Sequence, residues 1–237
     1  MTRGQVRGRI NEASELGIGF TRFASNSPRV APSHLVAISG MRITRTSDGI
    51  SIDQSGYIHQ VLERYRMSNS KPVSMPLAPG SRLAKATTAG DVNSKLYQGI
   101  VGSVMYGMLC TRPDLAFLIQ QLSQFGSNPA NTHFQVRKRA MRYLQGTQTT
   151  GPIYNGEITG PIQAYCDADY SAGEDRKSIS GYIFLLAGAP ISWQAKKQTM
   201  VAQSTVEAEY ATMAHVAKEM IWLQHLLRDL EMSKYAL

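Results

Sequence analysis

The chain has 237 residues, 43% of them hydrophobic and 18% charged, with a formal net charge of +8 and a pI near 9.6. That length buries a core in one large domain or two small ones, and no run approaches the roughly 20 apolar residues of a membrane span, so a soluble globular chain is expected. The excess of positive charge favours acidic partners, nucleic acid first among them.

Residues 1–34 carry Arg and Ser with little periodicity and a break at Pro28 and Pro32. They read as a poorly ordered lead, without the apolar core and cleavage site of a secretory signal. From Leu35, "LVAISGMRITRTSDGISIDQ" gives two β-rich runs around Ser47-Asp48-Gly49, a hairpin. "SGYIHQVLERYRM" then sets Ile58, Leu62 and Tyr65 at helical spacing behind Ser55 as N-cap, which closes a segment 35–67. Residues 68–93, with Pro72, Pro76 and Pro79 among Gly, Ser and Thr, read as a linker.

Three helices are predicted within 94–150. The first, about 95–109, has apolar or small residues on most faces; the second opens at "TRPD", where Pro113 suits a first helical turn. The third, about 132–145, carries Arg137, Lys138, Arg139 and Arg142 as one basic face and stops at Gly146. After Gly151-Pro152 the character changes, and residues 151–237 form the last segment. Short strands are expected at about 162–168, 181–187 and 190–195, followed by one long helix at about 204–230. Cys110 and Cys166 belong to no C-x-x-C pair or histidine cluster, which argues for an intracellular, reducing setting and against a zinc site.

Two carboxylate positions invite chemistry. In "AYCDADY", strand alternation puts Asp167 and Asp169 on one face and Ala164, Cys166 and Ala168 on the other. A lone D-x-D also reads as a solvated strand end. On the long helix, Ser204 and Glu207 form a capping box in which each satisfies the other's backbone N–H. Glu209 has no such task and falls in register with Met213, Val216, Met220, Leu223 and Leu227, the stripe expected to face the sheet. A carboxylate there is paired, protonated, metal-bound, or close enough to the helix end to reach water. Carboxylates converging without a basic neighbour suit Mg²⁺ or Mn²⁺.

The run "YCDADYSAGEDRKSISGYIFLLAGAPISWQAKKQTMVAQSTVEAEYATMAHVAKEMIWLQHLL" resembles the ribonuclease H region of copia-type long-terminal-repeat retrotransposon polyproteins. "LYQGIVGSVMYGMLCTRPDLAFLIQQLSQFGSNPANTHFQVRKRAMRYLQGT" looks like the connection between reverse transcriptase and ribonuclease H, and "ISIDQSGYIHQVLERYRM" like the end of the polymerase part. The fold this implies is α+β: a helical connection region followed by a ribonuclease H-like module, a three-stranded antiparallel meander and a long helix.

The activity it implies is two-metal cleavage of the RNA strand of an RNA/DNA hybrid. Asp167 and Glu209 are the metal-binding and catalytic carboxylates, Mg²⁺ or Mn²⁺ is the cofactor, and Asp169 supports the site without binding the metal. Arg137, Lys138, Arg142, Lys196 and Lys197 are the candidate contacts to nucleic acid. The family's third metal-binding aspartate lies on a fourth strand after the long helix, a motif not reached by Leu237, so an incomplete two-ion site and a partner chain supplying that strand are expected. No Asp-Asp dipeptide occurs, so no polymerase site is expected. A non-catalytic nucleic-acid-binding fragment and an unselected transposon relic are the alternatives, and the expected location is the cytoplasm or nucleus.

Overall fold

The computed structural model describes residues 35–47, 49–81, 83–85, 93–156, 158 and 160–236. The lead 1–34 lies outside them. The described residues divide into two compact units, one ending at Pro152 and one beginning at Ile153. Both are mixed, so the fold is α+β, with five helices and antiparallel strands among the described residues.

In the first unit β1 (Leu35–Ile38), β2 (Met41–Thr46) and β3 (Gly49–Asp53) pair as a meander. The expected hairpin is therefore preceded by another. Its turn is Ser39-Gly40, with φ of 49° and 74°, the doubly left-handed geometry that joins strands through two residues. The signal was a Ser-Gly pair inside what reads as one apolar run.

Helix α1 (Ser55–Arg64) follows, and its cap differs from expectation. Ser55 is the first helical residue, and its N–H donates to Asp53 Oδ1 at 2.9 Å. The Asp53 carboxylate also accepts from Arg42 Nε at 3.0 Å.

Helices α2 (Ser94–Cys110), α3 (Ala116–Ser123) and α4 (Asn131–Gly146) complete the unit, with Pro113 opening a 3-10 turn ahead of α3. Ile58, Val61 and Leu62 of α1 bury against Tyr97, Val104, Leu118, Leu122, Met141 and Leu144, so the hairpin segment and the three helices share one core. Residues 68–76 lie along α4. Arg142 Nε donates to Lys71 O at 2.6 Å, Arg139 Nε donates to Met75 O at 3.1 Å, and a Cβ on Gly146 would stand 3.0 Å from Pro72 Cβ.

His133 fastens another part of the same segment. Its Nδ1 accepts the Ala130 N–H at 2.9 Å, which leaves the proton on Nε2 to donate to Ala84 O at 2.8 Å, and the ring stacks on Phe125. This arrangement needs the neutral ring, and burial holds the imidazole below its ordinary pKa. The folded state thus binds fewer protons than the unfolded one, so stability is full above the unfolded value of about 6.5 and falls as pH drops through and below it. A urea midpoint that declines from pH 7.5 to pH 5 is expected, with a smaller decline in His133→Gln; identical declines would place the titration elsewhere.

In the second unit, β4 (Ile153–Tyr154) precedes β5 (Gln163–Asp169), β6 (Ile179–Leu186) and β7 (Ala189–Lys197), the last three pairing in the order β5-β6-β7. β5, β6, β7 and α5 (Thr205–Asp229) fall within two residues of the predicted ranges, whereas β4 is an additional strand. Phe184 of β6 and Val216, Leu223 and Leu227 of α5 form the centre of the core, with Ala164 and Cys166 of β5 packed against it. Trp222, Leu226 and Leu230 stay exposed, and Ile162 N–H donates to Tyr235 O at the start of β5.

Candidate functional site

The end of β5 and the first turns of α5 carry the candidate carboxylates. Register sets Cys166 opposite Tyr182 and Asp167 opposite Gly181. Cys166 therefore faces the helix, while Asp167 and Asp169 lie on the other face of an edge strand, both exposed.

Glu209 also differs from expectation. The buried stripe begins with Ala208 and Thr212, not with Glu209 and Met213, and both of the latter are exposed. A hydroxyl latch sets this rotation. Thr212 Oγ1 donates to Ala208 O at 3.0 Å and accepts from Ser180 Oγ at 2.7 Å, and Gln198 Nε2 donates to Ser180 Oγ and Ala208 O. Three elements supply this latch, and nothing in the spacing of positions 180, 198 and 212 announces it.

Ser204 caps α5 as expected, accepting the Glu207 N–H at 3.2 Å, whereas Glu207 reaches one residue further back to the Gln203 N–H. Glu209 is thus left to solvent. Burial pushes the Cys166 thiol up, and the carboxylates of Asp167 and Glu209 push it further. Asp167 is the chain neighbour of Cys166 and leaves β5 on its opposite face, so their shared influence on the thiol does not by itself set the Asp167 and Glu209 carboxylates side by side.

The two exposed carboxylates are oxygen donors of the kind a hard cation takes beside several waters and phosphate oxygens. They do not form a cage: among the described residues no group of three His, Cys, Asp or Glu is placed to hold a metal ion. Asp175, beyond the strand, is engaged elsewhere. Its Oδ1 pairs with Lys197 Nζ at 2.8 Å, and that hydrogen bond holds the Asp175 carboxyl below its ordinary range.

The basic candidates part company. Lys197 is tied to Asp175, and Lys196 is exposed. Arg137 is 3% exposed; its Nη1 donates to Leu96 O at 3.1 Å and its guanidinium lies 3.5 Å from the centre of the Phe134 ring. Burial lowers its pKa to about 10, so it stays cationic at neutral pH, but inside the core it offers phosphate nothing. Lys138 is exposed, and Arg142 is half-buried under residues 68–76. Arg139, not among the expected contacts, is held in the same way as Arg142.

The chain is 43% identical over 203 residues to the retrovirus-related Pol polyprotein from transposon TNT 1-94 of Nicotiana tabacum, a match covering 81% of this chain and 15% of the polyprotein. It is 38% identical over 192 residues to the corresponding polyprotein from transposon RE1 of Arabidopsis thaliana, covering 81% of this chain and 13% of that one. It is also 46% identical over 128 residues to secreted RxLR effector protein 161 of Plasmopara viticola, covering 54% of this chain and 90% of the effector. The chain therefore spans only about one seventh of the Pol polyproteins it matches. No family model and no solved structure matches it.

Proposed function

We propose, since this chain belongs to the retrovirus-related Pol polyproteins of copia-type transposons, that the unit beginning at Ile153 is a ribonuclease H-like module that engages the RNA strand of an RNA/DNA hybrid. The observation that carries the reading is the 43% identity over 203 residues to a retrovirus-related Pol polyprotein, in a unit that presents one exposed carboxylate on β5, Asp167, and another in the first turns of α5, Glu209. Both side chains are exposed and so can meet a phosphate brought by a substrate, and neither is consumed by an ion pair among the described residues. They are the groups that would hold Mg²⁺ or Mn²⁺.

A divalent ion held there supplies charge neutralisation at a phosphoryl oxygen and a more acidic bound water. The protein's own part is positional. The Ser180–Thr212–Gln198 latch fixes the rotation of α5 that buries Ala208 and Thr212 and leaves Glu209 exposed, and pairing of β5 with β6 fixes the face on which Asp167 lies.

Because the donor set is a pair and not a cluster, metal-dependent binding should exceed metal-dependent cleavage. Mg²⁺ is expected to tighten binding of a labelled RNA/DNA hybrid by about tenfold, about 1.4 kcal/mol, with little cleavage by this chain alone. Asp167→Asn and Glu209→Gln should each abolish that gain. A gain preserved in both variants would remove the carboxylates from the site; robust cleavage lost in Asp167→Asn would show that the pair suffices for catalysis.

A further inference from the structure

We propose that the first unit carries a separate docking surface for the phosphate backbone of duplex nucleic acid, built from Lys71, Lys138, Arg139 and Arg142. It lies outside the carboxylate site and does not depend on the reading given to that site.

The argument starts from charge. Of the 25 Lys and Arg, 18 precede Ile153, against 7 of the 17 Asp and Glu, so the positive excess belongs to this half of the chain and the other half is slightly acidic. The described carboxylates of the first unit are all engaged elsewhere: Asp53 by Arg42, Glu63 by His59 and Asp114 by Arg112. No described carboxylate pairs with any of the four cations. Surface cations are usually interspersed with acids, so four left together without counter-ions mark a surface that meets anions.

Geometry sharpens this. At about 100° per residue, Lys138, Arg139 and Arg142 fall within about 100° of one another on one face of α4. Residues 68–76 lie over that face and add the exposed Lys71.

Each arginine spends its Nε–H on a backbone carbonyl of this strap, Lys71 O for Arg142 and Met75 O for Arg139. That bond fixes the guanidinium while leaving its terminal N–H groups uncommitted to any carboxylate. Such a pinned fork loses less freedom on meeting a phosphate than a loose lysine does. Rises of 1.5 Å per residue separate the two forks by about 4.5 Å along the axis, a spacing that serves a row of anions better than a single one. A duplex presents such a row, with one charge per about 1.7 Å of its axis.

The test is the salt dependence of affinity of the full chain for a 20-base-pair RNA/DNA hybrid without divalent ions. Each lost phosphate contact lowers the slope of log K against log salt by about 0.9. Arg139→Gln with Arg142→Gln should therefore flatten the slope by about 2. Those changes also release the strap, so Lys71→Gln with Lys138→Gln provides the second variant: it keeps both strap hydrogen bonds and should flatten the slope by a similar amount, at unchanged melting temperature. Lys218→Gln, which removes an exposed cation of α5, should leave the slope as it is, which separates this surface from a general loss of positive charge. Unchanged slopes in both double variants would overturn the proposal, as would an effect of these substitutions on binding to phosphatidylserine vesicles without one on the hybrid.

Discussion

Replacing Arg112 with Met is expected to lower the stability of the first unit by about 3–5 kcal/mol. Arg112 is fully buried, and its guanidinium makes four hydrogen bonds. Nε and Nη2 donate to the two oxygens of Asp114 at 3.0 and 2.8 Å, Nη1 donates to Thr147 O, and Nη2 donates to Thr147 Oγ1. Tyr143 completes the cluster, donating its hydroxyl to Asp114 Oδ2 at 2.8 Å, with its ring beside the guanidinium. Burial, with Asp114 second, raises the Tyr143 phenol to about 12, so it stays a donor throughout the working range.

Removing Arg112 leaves the Asp114 carboxylate buried with a single neutral donor, and the cost is that of an uncompensated charge, not of one hydrogen bond. Hydrogen exchange of α2 and α4 amides would read the loss. Arg112→Met combined with Asp114→Asn should recover part of it; a double variant no more stable than Arg112→Met alone would mean that the stranded charge is not the cause.

The second large effect comes from a glycine. A Cβ on Gly151 would land on the carbonyl oxygen of Ile52, with Ile52 C at 3.0 Å and Asp53 Cα at 3.2 Å. All three obstacles are backbone, and β3 is not free to retreat, because Ile52 N–H donates to Pro152 O at 3.0 Å. Gly151→Ala must break or stretch that approach, and about 3 kcal/mol of destabilisation is expected, the upper range for overpacking. Gly56→Ala is the contrast. Nothing lies within 4 Å of its Cβ position in α1, so its stability should hold or rise slightly, as helix propensity favours Ala. Equal unfolding midpoints for the two variants would show that the Gly151 contact relaxes without cost.

Much of the architecture was legible in the chain itself, because periodicity and punctuation are local properties. Alternation over Gln163–Asp169 sorted Cys166 from Asp167, and β6, β7 and α5 fall where apolar runs end at Gly, Pro or a capping Ser. The positive excess and its confinement to residues before Ile153 are also a matter of counting.

What one chain segment does to another was not legible. Arg137 and Arg142 sit on the same helix with the same charge, yet one is buried over Phe134 beneath Leu96 and the other holds the strap, and only packing against α2 tells them apart. Glu209 and Ala208 differ by one helical step of about 100°. The choice between them was made by Ser180 and Gln198, which draw Thr212 and Ala208 inward and leave Glu209 exposed. Residues 68–76 look like free linker in composition, and become a fixed strap because two arginines from a distant helix claim their carbonyls. Local spacing determines which faces an element has, whereas the partner that fills each face is set by long-range contacts that no single stretch of sequence contains.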